Sequence, residues 1–164
     1  MTDIAKRPRT LLPPPLVYVS GFVVGWYLTH WRTLAFTTPA LVRWLAWGVV
    51  AVSIGLMLWA ALTIWHYRTT VNPYGQASTL VSSGPFAFSR NPIYLADALL
   101  YLAASILWQN GWTLVLAPVI WLIMRYAVIR HEEAHLHARF GEAYEAYCQR
   151  TARWFGKRRV DNER

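Results

Sequence analysis

Long apolar stretches alternate with shorter polar ones along most of this chain. Four apolar runs lie at residues 16–31, 41–65, 93–108 and 112–129. A helix needs roughly 17–25 residues to cross about 30 Å of hydrocarbon, so the second and fourth runs are long enough alone and the others need their flanks. The pattern predicts an all-α fold, a polytopic membrane bundle of about four transmembrane helices.

The ends of these runs support a membrane location. Aromatic rings that prefer the headgroup level cluster there, at Trp26, Trp31, Trp65, Tyr67, Trp108 and Trp112. The first run is followed directly by Trp31 and Arg32, whereas a signal peptide would end in small residues. We therefore interpret the first run as a span.

The order of apolar and polar segments predicts a single membrane domain over residues 1–164. Residues 1–15 form a cytoplasmic lead-in, residues 16–129 hold the four spans with a cytoplasmic loop at 68–92, and residues 156–164 form a basic tail. Residues 130–155, between the fourth span and the tail, are predicted to form an amphipathic cytoplasmic helix. Leu136, Phe140 and Tyr144 recur there at helical spacing, and charged residues lie on the other face of the helix.

The formal net charge of +8 adds a topology to this picture. Basic residues concentrate before the first run, between the second and third, and after the fourth. The positive-inside rule then places both termini and the 68–92 loop in the cytoplasm, so a bacterial chain would lie in the inner membrane. The charge reflects this topology and contact with anionic membrane lipids, and it requires no nucleic acid. The single cysteine, Cys148, excludes an internal disulfide.

Only the segment "WQNGW" joins the third and fourth runs, which predicts an antiparallel helical hairpin with its turn near Gly111. In such a hairpin, residues whose numbers sum to about twice the turn centre lie at equal depth. Arg90 then matches Glu132 in depth. The segments "SRNPIY" and "RHEEAH" should therefore meet at one membrane face, although about forty residues separate them.

The same depth argument matches Asp97 with Arg125, and an ionisable group inside a span needs a partner or a function. We expect Asp97 either to pair with Arg125 or to line a ligand pocket. Asn91 is expected to cap the third helix, with Pro92 at its first position.

Two further motifs carry alternatives. Gly21 and Gly25 form a G-x-x-x-G spacing, which suits close packing inside the bundle or the contact face of a non-enzymatic membrane module. The segment "HEEAH" (131–135) matches H-E-x-x-H, in which His131 and His135 would bind zinc and Glu132 would act as the general base of a membrane metalloprotease. That site would need a third ligand from elsewhere.

An ordered set of motifs gives the stronger signal: "SGPFAFSRNPIY", an apolar hairpin, then "EEAHLHARFGEAYEAY" followed by "RW". Over about Gly84 to Trp154 the chain resembles the isoprenylcysteine carboxyl methyltransferase and phospholipid methyltransferase family of integral-membrane enzymes. The resemblance implies methyl transfer from S-adenosylmethionine to a lipid-like or membrane-partitioned acceptor. It leaves open whether O, N, S or C accepts the methyl group, and also the oligomeric state.

The resemblance also implies site residues and no metal. Arg90 and Glu132 are implied as catalytic residues. The implied cofactor-binding residues are Gly84, Arg90, Asn91, Tyr94, Glu132, Glu133, Tyr144 and Tyr147. Asn91 stands where the eukaryotic carboxyl methyltransferases have histidine. The residue types suit the cofactor, because carboxylates bind a ribose diol and an ammonium, aromatic faces suit a sulfonium, and a guanidinium grips a carboxylate.

Overall fold

The computed structural model describes residues 13–67 and 79–156. Most of the predicted lead-in, loop residues 68–78 and the basic tail after Gly156 lie outside the described residues. The described part confirms an all-α fold. Its helices are α1 (Pro14–Thr29), α2 (Ala40–His66), α3 (Pro92–Trp108), α4 (Gly111–Ile123), α5 (Arg130–Phe140) and α6 (Glu142–Arg150). A 3₁₀ turn (Gly84–Ala87) precedes α3, and a π-helical segment (Met124–Ile129) joins α4 to α5.

Two of these helical stretches are long and apolar enough to cross a membrane, where four had been predicted. They are α2 and the continuous rod Gly111–Phe140, whereas α1 has 16 residues and α3 has 17. Only 17% of the apolar window of α2 and 28% of that of the rod are buried inside the fold. Because the core helix of a soluble protein would be mostly buried, these exposed apolar faces favour contact with lipid.

The helices pack in two pairs that share one core. α3 packs most extensively against α2, and α4 packs against α1. The largest buried cluster joins α1, α3, α4 and the π-helical segment, and consists of Val17, Tyr94, Tyr101, Ile120, Met124, Val128 and Ile129. The predicted hairpin of α3 and α4 is present, with its strongest packing against the helices on either side.

The turn between α3 and α4 lies where the sequence predicted it. Gln109 ends α3 with a left-handed φ of 56°, and the Asn110 side chain accepts a hydrogen bond of 3.0 Å from the amide of Trp112. The connection after α1 holds this turn, because the Gly111 amide donates to the Leu34 carbonyl at 2.6 Å. The hairpin therefore has a fixed closed end.

The prediction of one continuous helix over residues 130–155 was wrong. α5 continues the rod of α4, and Gly141 then breaks the helix with a φ of 49° and a ψ of −124°. This left-handed region of φ favours glycine, so the break is encoded at that residue. α6 ends at Arg150, and residues 151–156 run on as a non-helical segment.

The expected ion pair of Asp97 with Arg125 is not formed among the residues that the structure describes. The Arg125 guanidinium instead lies over the Trp121 ring, 5.3 Å from its centroid. Depth alone did not determine the pairing, because equal depth on two helices does not make two side chains point toward each other.

Gly21 and Gly25 face the interior of the bundle. A Cβ on Gly21 would lie 2.7 Å from the hydroxyl of Tyr101, and one on Gly25 would lie 2.6 Å from Cγ2 of Thr113. The spacing therefore serves close packing of α1 against α3 and α4, and this face is covered within the single chain.

We predict that Gly25→Ala destabilises the fold by roughly 1–3 kcal/mol, because the added methyl group overlaps Thr113. The measurement is thermal unfolding in detergent, followed by tryptophan fluorescence. Gly48→Ala on α2 is the matched control, since a Cβ there meets nothing within 4 Å. Equal melting temperatures for the two variants would contradict the packing role of Gly25.

Candidate functional site

The start of α3 and the start of α5 meet at one end of the bundle, as the depth argument predicted. The Tyr94 hydroxyl donates a hydrogen bond of 2.6 Å to Oε2 of Glu132. One Nη of Arg90 lies 3.4 Å from Oε1 of Glu133. The hairpin thus brings the "SRNPIY" and "HEEAH" segments into direct contact through two pairs of side chains.

Glu133 is held by two guanidinium groups. In addition to Arg90, Arg153 donates from Nε to Oε1 at 3.0 Å and from Nη2 to Oε2 at 2.6 Å, which is a forked pair. This bonding to Glu133 raises the pKa of Arg153 above its usual value, so the group stays charged. Arg153 is a site residue that sequence reasoning missed. Its only signal was the "RW" that follows the C-terminal motif.

Arg153 belongs to a segment that folds back over the start of α3, which we call the C-terminal strap (residues 151–156). The Arg90 amide donates to the Ala152 carbonyl at 3.0 Å, and the Gly156 amide donates to the Phe88 carbonyl at 2.8 Å. The Trp154 ring stacks on Trp121 of α4, with 6.2 Å between centroids. Backbone pairing and an aromatic anchor therefore hold the strap at both ends.

Asn91 takes part in this contact and does not cap α3 with its side chain. It occupies the N-cap position without a side-chain cap hydrogen bond. Its Nδ2 instead donates to the carbonyl of Arg153 at 3.1 Å. The strap holds the side-chain amide through its nitrogen, and the amide oxygen accepts no cap hydrogen bond, which corrects the expected capping role. Pro92 does begin the helix, as predicted.

A pocket with a volume of about 100 Å³ opens beside these residues. One part of its wall is apolar and the other is polar. The apolar part contains Ile64, Leu80, Val81, Phe86 and Leu136, and the polar part contains Thr79, Arg90, Asn91, Glu132, Tyr144 and Tyr147. The walls come from α2, the segment 79–91, α5 and α6, so the pocket depends on the whole end of the bundle.

Arg90 is the cation among the residues that line this pocket. Its side chain is only 11% exposed, one Nη contacts Glu133, and the other contacts Sγ of Cys148. Its Nε is buried without a hydrogen-bond partner. A buried donor without a partner is costly, so the Arg90 guanidinium keeps unused hydrogen-bonding capacity beside the pocket.

Tyr144 and Tyr147 lie side by side on α6, both buried, with their ring centroids 6.2 Å apart. The Tyr147 hydroxyl donates to the carbonyl of Phe86 at 2.7 Å, which fixes α6 to the 3₁₀ turn. Burial raises the pKa of both tyrosines, so they remain neutral phenols. They line the pocket as neutral aromatic side chains.

The other predicted site residues lie around the pocket without lining it. Glu133 lies behind Arg90, and Tyr94 reaches the pocket through its bond to Glu132. Gly84 packs against α2, where a Cβ would come within 2.9 Å of Oγ1 of Thr63, and its φ of 58° also favours glycine. The structure thus brings these three residues to the site in supporting positions.

The alternative zinc site is incomplete in the described part of the chain. Nδ1 of His131 and both ring nitrogens of His135 are buried without hydrogen-bond partners. Within residues 13–67 and 79–156, however, no group of three His, Cys, Asp or Glu side chains lies close enough to hold a metal ion. Glu132, which a metalloprotease would use as its general base, accepts a hydrogen bond from Tyr94.

Comparisons with known proteins identify a family and several relatives. A model of the phospholipid methyltransferase family matches residues 41–143, more than half of the chain. A cobalt-zinc-cadmium resistance protein, CzcN, from Cupriavidus metallidurans is 30% identical over 66% of this chain and 47% of its own length. A nickel-cobalt-cadmium resistance protein, NccN, from Alcaligenes xylosoxydans xylosoxydans is 25% identical over 93% of this chain and 74% of its own length. The chain spans about half the length of the first relative. No solved structure matches this chain.

We predict that Tyr147→Phe lowers the free energy of unfolding by about 1 kcal/mol, because the Phe86 carbonyl loses its donor. Thermal unfolding in detergent measures this change. Tyr126→Phe is the control, since the Tyr126 side chain is half exposed on the π-helical segment. A loss of the same size in both variants would show that the bond to Phe86 does not stabilise the site.

Proposed function

The chain belongs to the phospholipid methyltransferase family, and we propose that it is an integral-membrane methyltransferase that uses S-adenosylmethionine. The proposed acceptor is a lipid-like or membrane-partitioned small molecule. In this proposal all four apolar helices span the bilayer, α1 and α3 with the help of their flanks. The termini and the pocket then face the cytoplasm, where the positive-inside rule puts the basic segments.

The observation that carries the proposal is the convergence of Arg90 and Glu132 on one pocket, although α3, the turn and α4 separate them in the chain. A cation and a carboxylate on opposite chain segments suit a ligand that carries both charges. The cofactor has an α-carboxylate and an α-ammonium. The guanidinium of Arg90 suits the carboxylate and the carboxylate of Glu132 suits the ammonium, so the residues that line the pocket fit the cofactor.

Glu132 has two available roles at the same position. Its carboxylate lines the pocket and receives one hydrogen bond, from Tyr94, so acceptor capacity remains for a ribose hydroxyl or the ammonium. The same carboxylate is placed to accept a proton from an acceptor molecule. Tyr94 fixes its orientation in either role.

The cofactor supplies a methyl group that its sulfonium already activates for in-line displacement. The protein therefore needs mainly to position the two reactants and to exclude water. The neutral aromatic rings of Tyr144 and Tyr147 suit the sulfonium. The apolar part of the wall, which includes Ile64 and Phe86, suits the hydrophobic part of an acceptor. Arg90 and Glu132 would hold the polar end of the cofactor against these surfaces.

We predict that the purified protein in detergent binds S-adenosylhomocysteine with a dissociation constant that is roughly micromolar or tighter. Arg90→Gln and Glu132→Gln should each weaken this binding at least about tenfold, because each removes a charged hydrogen-bond partner of the ligand. Isothermal titration calorimetry measures both effects.

Matched controls lie on the exposed face of α6. Arg150→Gln and Glu142→Gln remove the same charges from residues that do not line the pocket. These two variants should bind like the wild type. Absence of binding by the wild-type protein in several detergents, with the fold intact, would contradict the proposed function.

We also predict that membranes containing the protein transfer labelled methyl groups from S-adenosylmethionine to material that extracts into organic solvent. Glu132→Gln should reduce this transfer at least about tenfold, in keeping with the loss of a positioned carboxylate. Mass spectrometry of the labelled product identifies the acceptor. Label confined to the aqueous phase would exclude a membrane-partitioned acceptor.

A further inference from the structure

We propose that Arg153 is a positioning residue of this site, which acts on the ligand through Glu133 and Arg90. It binds the Glu133 carboxylate so that Arg90 keeps its positive charge available to the pocket. This inference rests on the proposed function and extends it to the C-terminal strap. It also assigns Glu133 to the two guanidinium groups, in place of a direct contact with the cofactor.

The distances show which guanidinium binds Glu133 more tightly. Arg153 forms two hydrogen bonds with it, of 3.0 and 2.6 Å, and so engages both carboxylate oxygens. Arg90 makes one longer contact of 3.4 Å. Glu133 is therefore matched mainly to Arg153, and Arg90 is not neutralised by a forked pair of its own.

Burial gives this arrangement its electrostatic effect. The side chains of Arg90 and Glu133 are 11% and 15% exposed, whereas that of Arg153 is 36% exposed. Charges in a poorly solvated place interact more strongly than charges in water. Arg153 closes the solvent side of this group, and Arg90 lies on its pocket side.

The three groups together carry one net positive charge, because two guanidinium groups share one carboxylate. Without Arg153, the Glu133 carboxylate would be free to form a forked pair with Arg90. That pair is neutral, and it would turn the guanidinium away from a ligand carboxylate. The charge that the pocket presents therefore depends on a residue that does not line it.

The backbone of Arg153 is hydrogen-bonded to the residues on either side of Arg90. Its carbonyl accepts hydrogen bonds from Asn91 Nδ2 at 3.1 Å and from Ser89 Oγ at 3.4 Å. Both donors flank Arg90 in the chain. The strap therefore places the guanidinium of Arg153 and the backbone around Arg90 in one frame, as a positioning role requires.

The experiment measures binding of two ligands to the full chain in detergent by calorimetry. S-adenosylhomocysteine carries the carboxylate that Arg90 would bind, whereas 5′-methylthioadenosine keeps the nucleoside and lacks the amino-acid part. Arg153→Gln should bind S-adenosylhomocysteine about tenfold more weakly and methylthioadenosine as the wild type does. A general defect of the fold would weaken both ligands.

The double variant Arg153→Gln/Glu133→Gln supplies the decisive comparison, because it removes the carboxylate that would otherwise neutralise Arg90. Its affinity for S-adenosylhomocysteine should recover to within about threefold of the wild type. If Arg153→Gln does not fold, Arg153→Lys takes its place, because lysine keeps the charge and loses the forked pair; the same loss for S-adenosylhomocysteine alone is then expected, at a smaller size. Arg150→Gln, on the exposed face of α6, is the matched control for the loss of one arginine.

The outcomes separate this inference from the proposed function. A wild-type protein that binds neither ligand overturns the proposed function, and this inference with it. A wild-type protein that binds S-adenosylhomocysteine, together with an unaffected Arg153→Gln, overturns the inference alone. The same holds if the double variant binds no better than Arg153→Gln, or if Arg153→Gln weakens both ligands equally.

Discussion

This end of the molecule depends on one interaction, in which the guanidinium groups of Arg90 and Arg153 both bind the Glu133 carboxylate. This interaction joins the start of α5 to the segment before α3 and to the C-terminal strap, which are three separate segments of the chain. A poorly solvated carboxylate needs compensation, and two guanidinium groups supply it here. The inferred positioning role of Arg153 would make the strap part of the electrostatics of the pocket.

A second constraint is that backbone polar groups need partners wherever water is scarce. At both ends of the hairpin of α3 and α4, segments from elsewhere in the chain supply these partners. At the closed end, the Leu34 carbonyl accepts from the Gly111 amide, and at the open end the Ala152 carbonyl accepts from the Arg90 amide. Each end is thus fixed by a hydrogen bond that does not depend on a side-chain cap.

The sequence was sufficient for the features that follow from periodicity and short connections. The first three apolar runs predicted α1, α2 and α3 to within about two residues, whereas the fourth ended at Ile129 inside a rod that continues to Phe140. The "WQNGW" turn predicted that the segments of Arg90 and Tyr94 meet the segment of the two glutamates. Depth was predictable because a tight antiparallel hairpin fixes it. The direction of side chains around each helix was not, and the Asp97 pair failed for that reason.

The strap was missed for a different physical reason. Its residues have no periodicity, and their position depends on hydrogen bonds to residues some sixty positions away, such as the bond from Asn91 to Arg153. Local propensity favoured Asn91 as a cap, and the tertiary contact overrode it. The break at Gly141 was missed because a glycine in a helical pattern is tolerated until the fold demands a positive φ.

The two faces of the pocket explain why a small membrane protein would place its chemistry at the end of a helical bundle. A charged, water-soluble cofactor and an apolar acceptor favour opposite solvents, so one site serves both only near the boundary between them. The polar wall around Arg90 and Glu132 and the apolar wall around Ile64 and Phe86 meet in one pocket. The proposed cofactor carries its own activation, so the site would need few ionisable groups, and those it has would serve orientation. The contacts of Glu133 with Arg90 and Arg153 agree with that requirement.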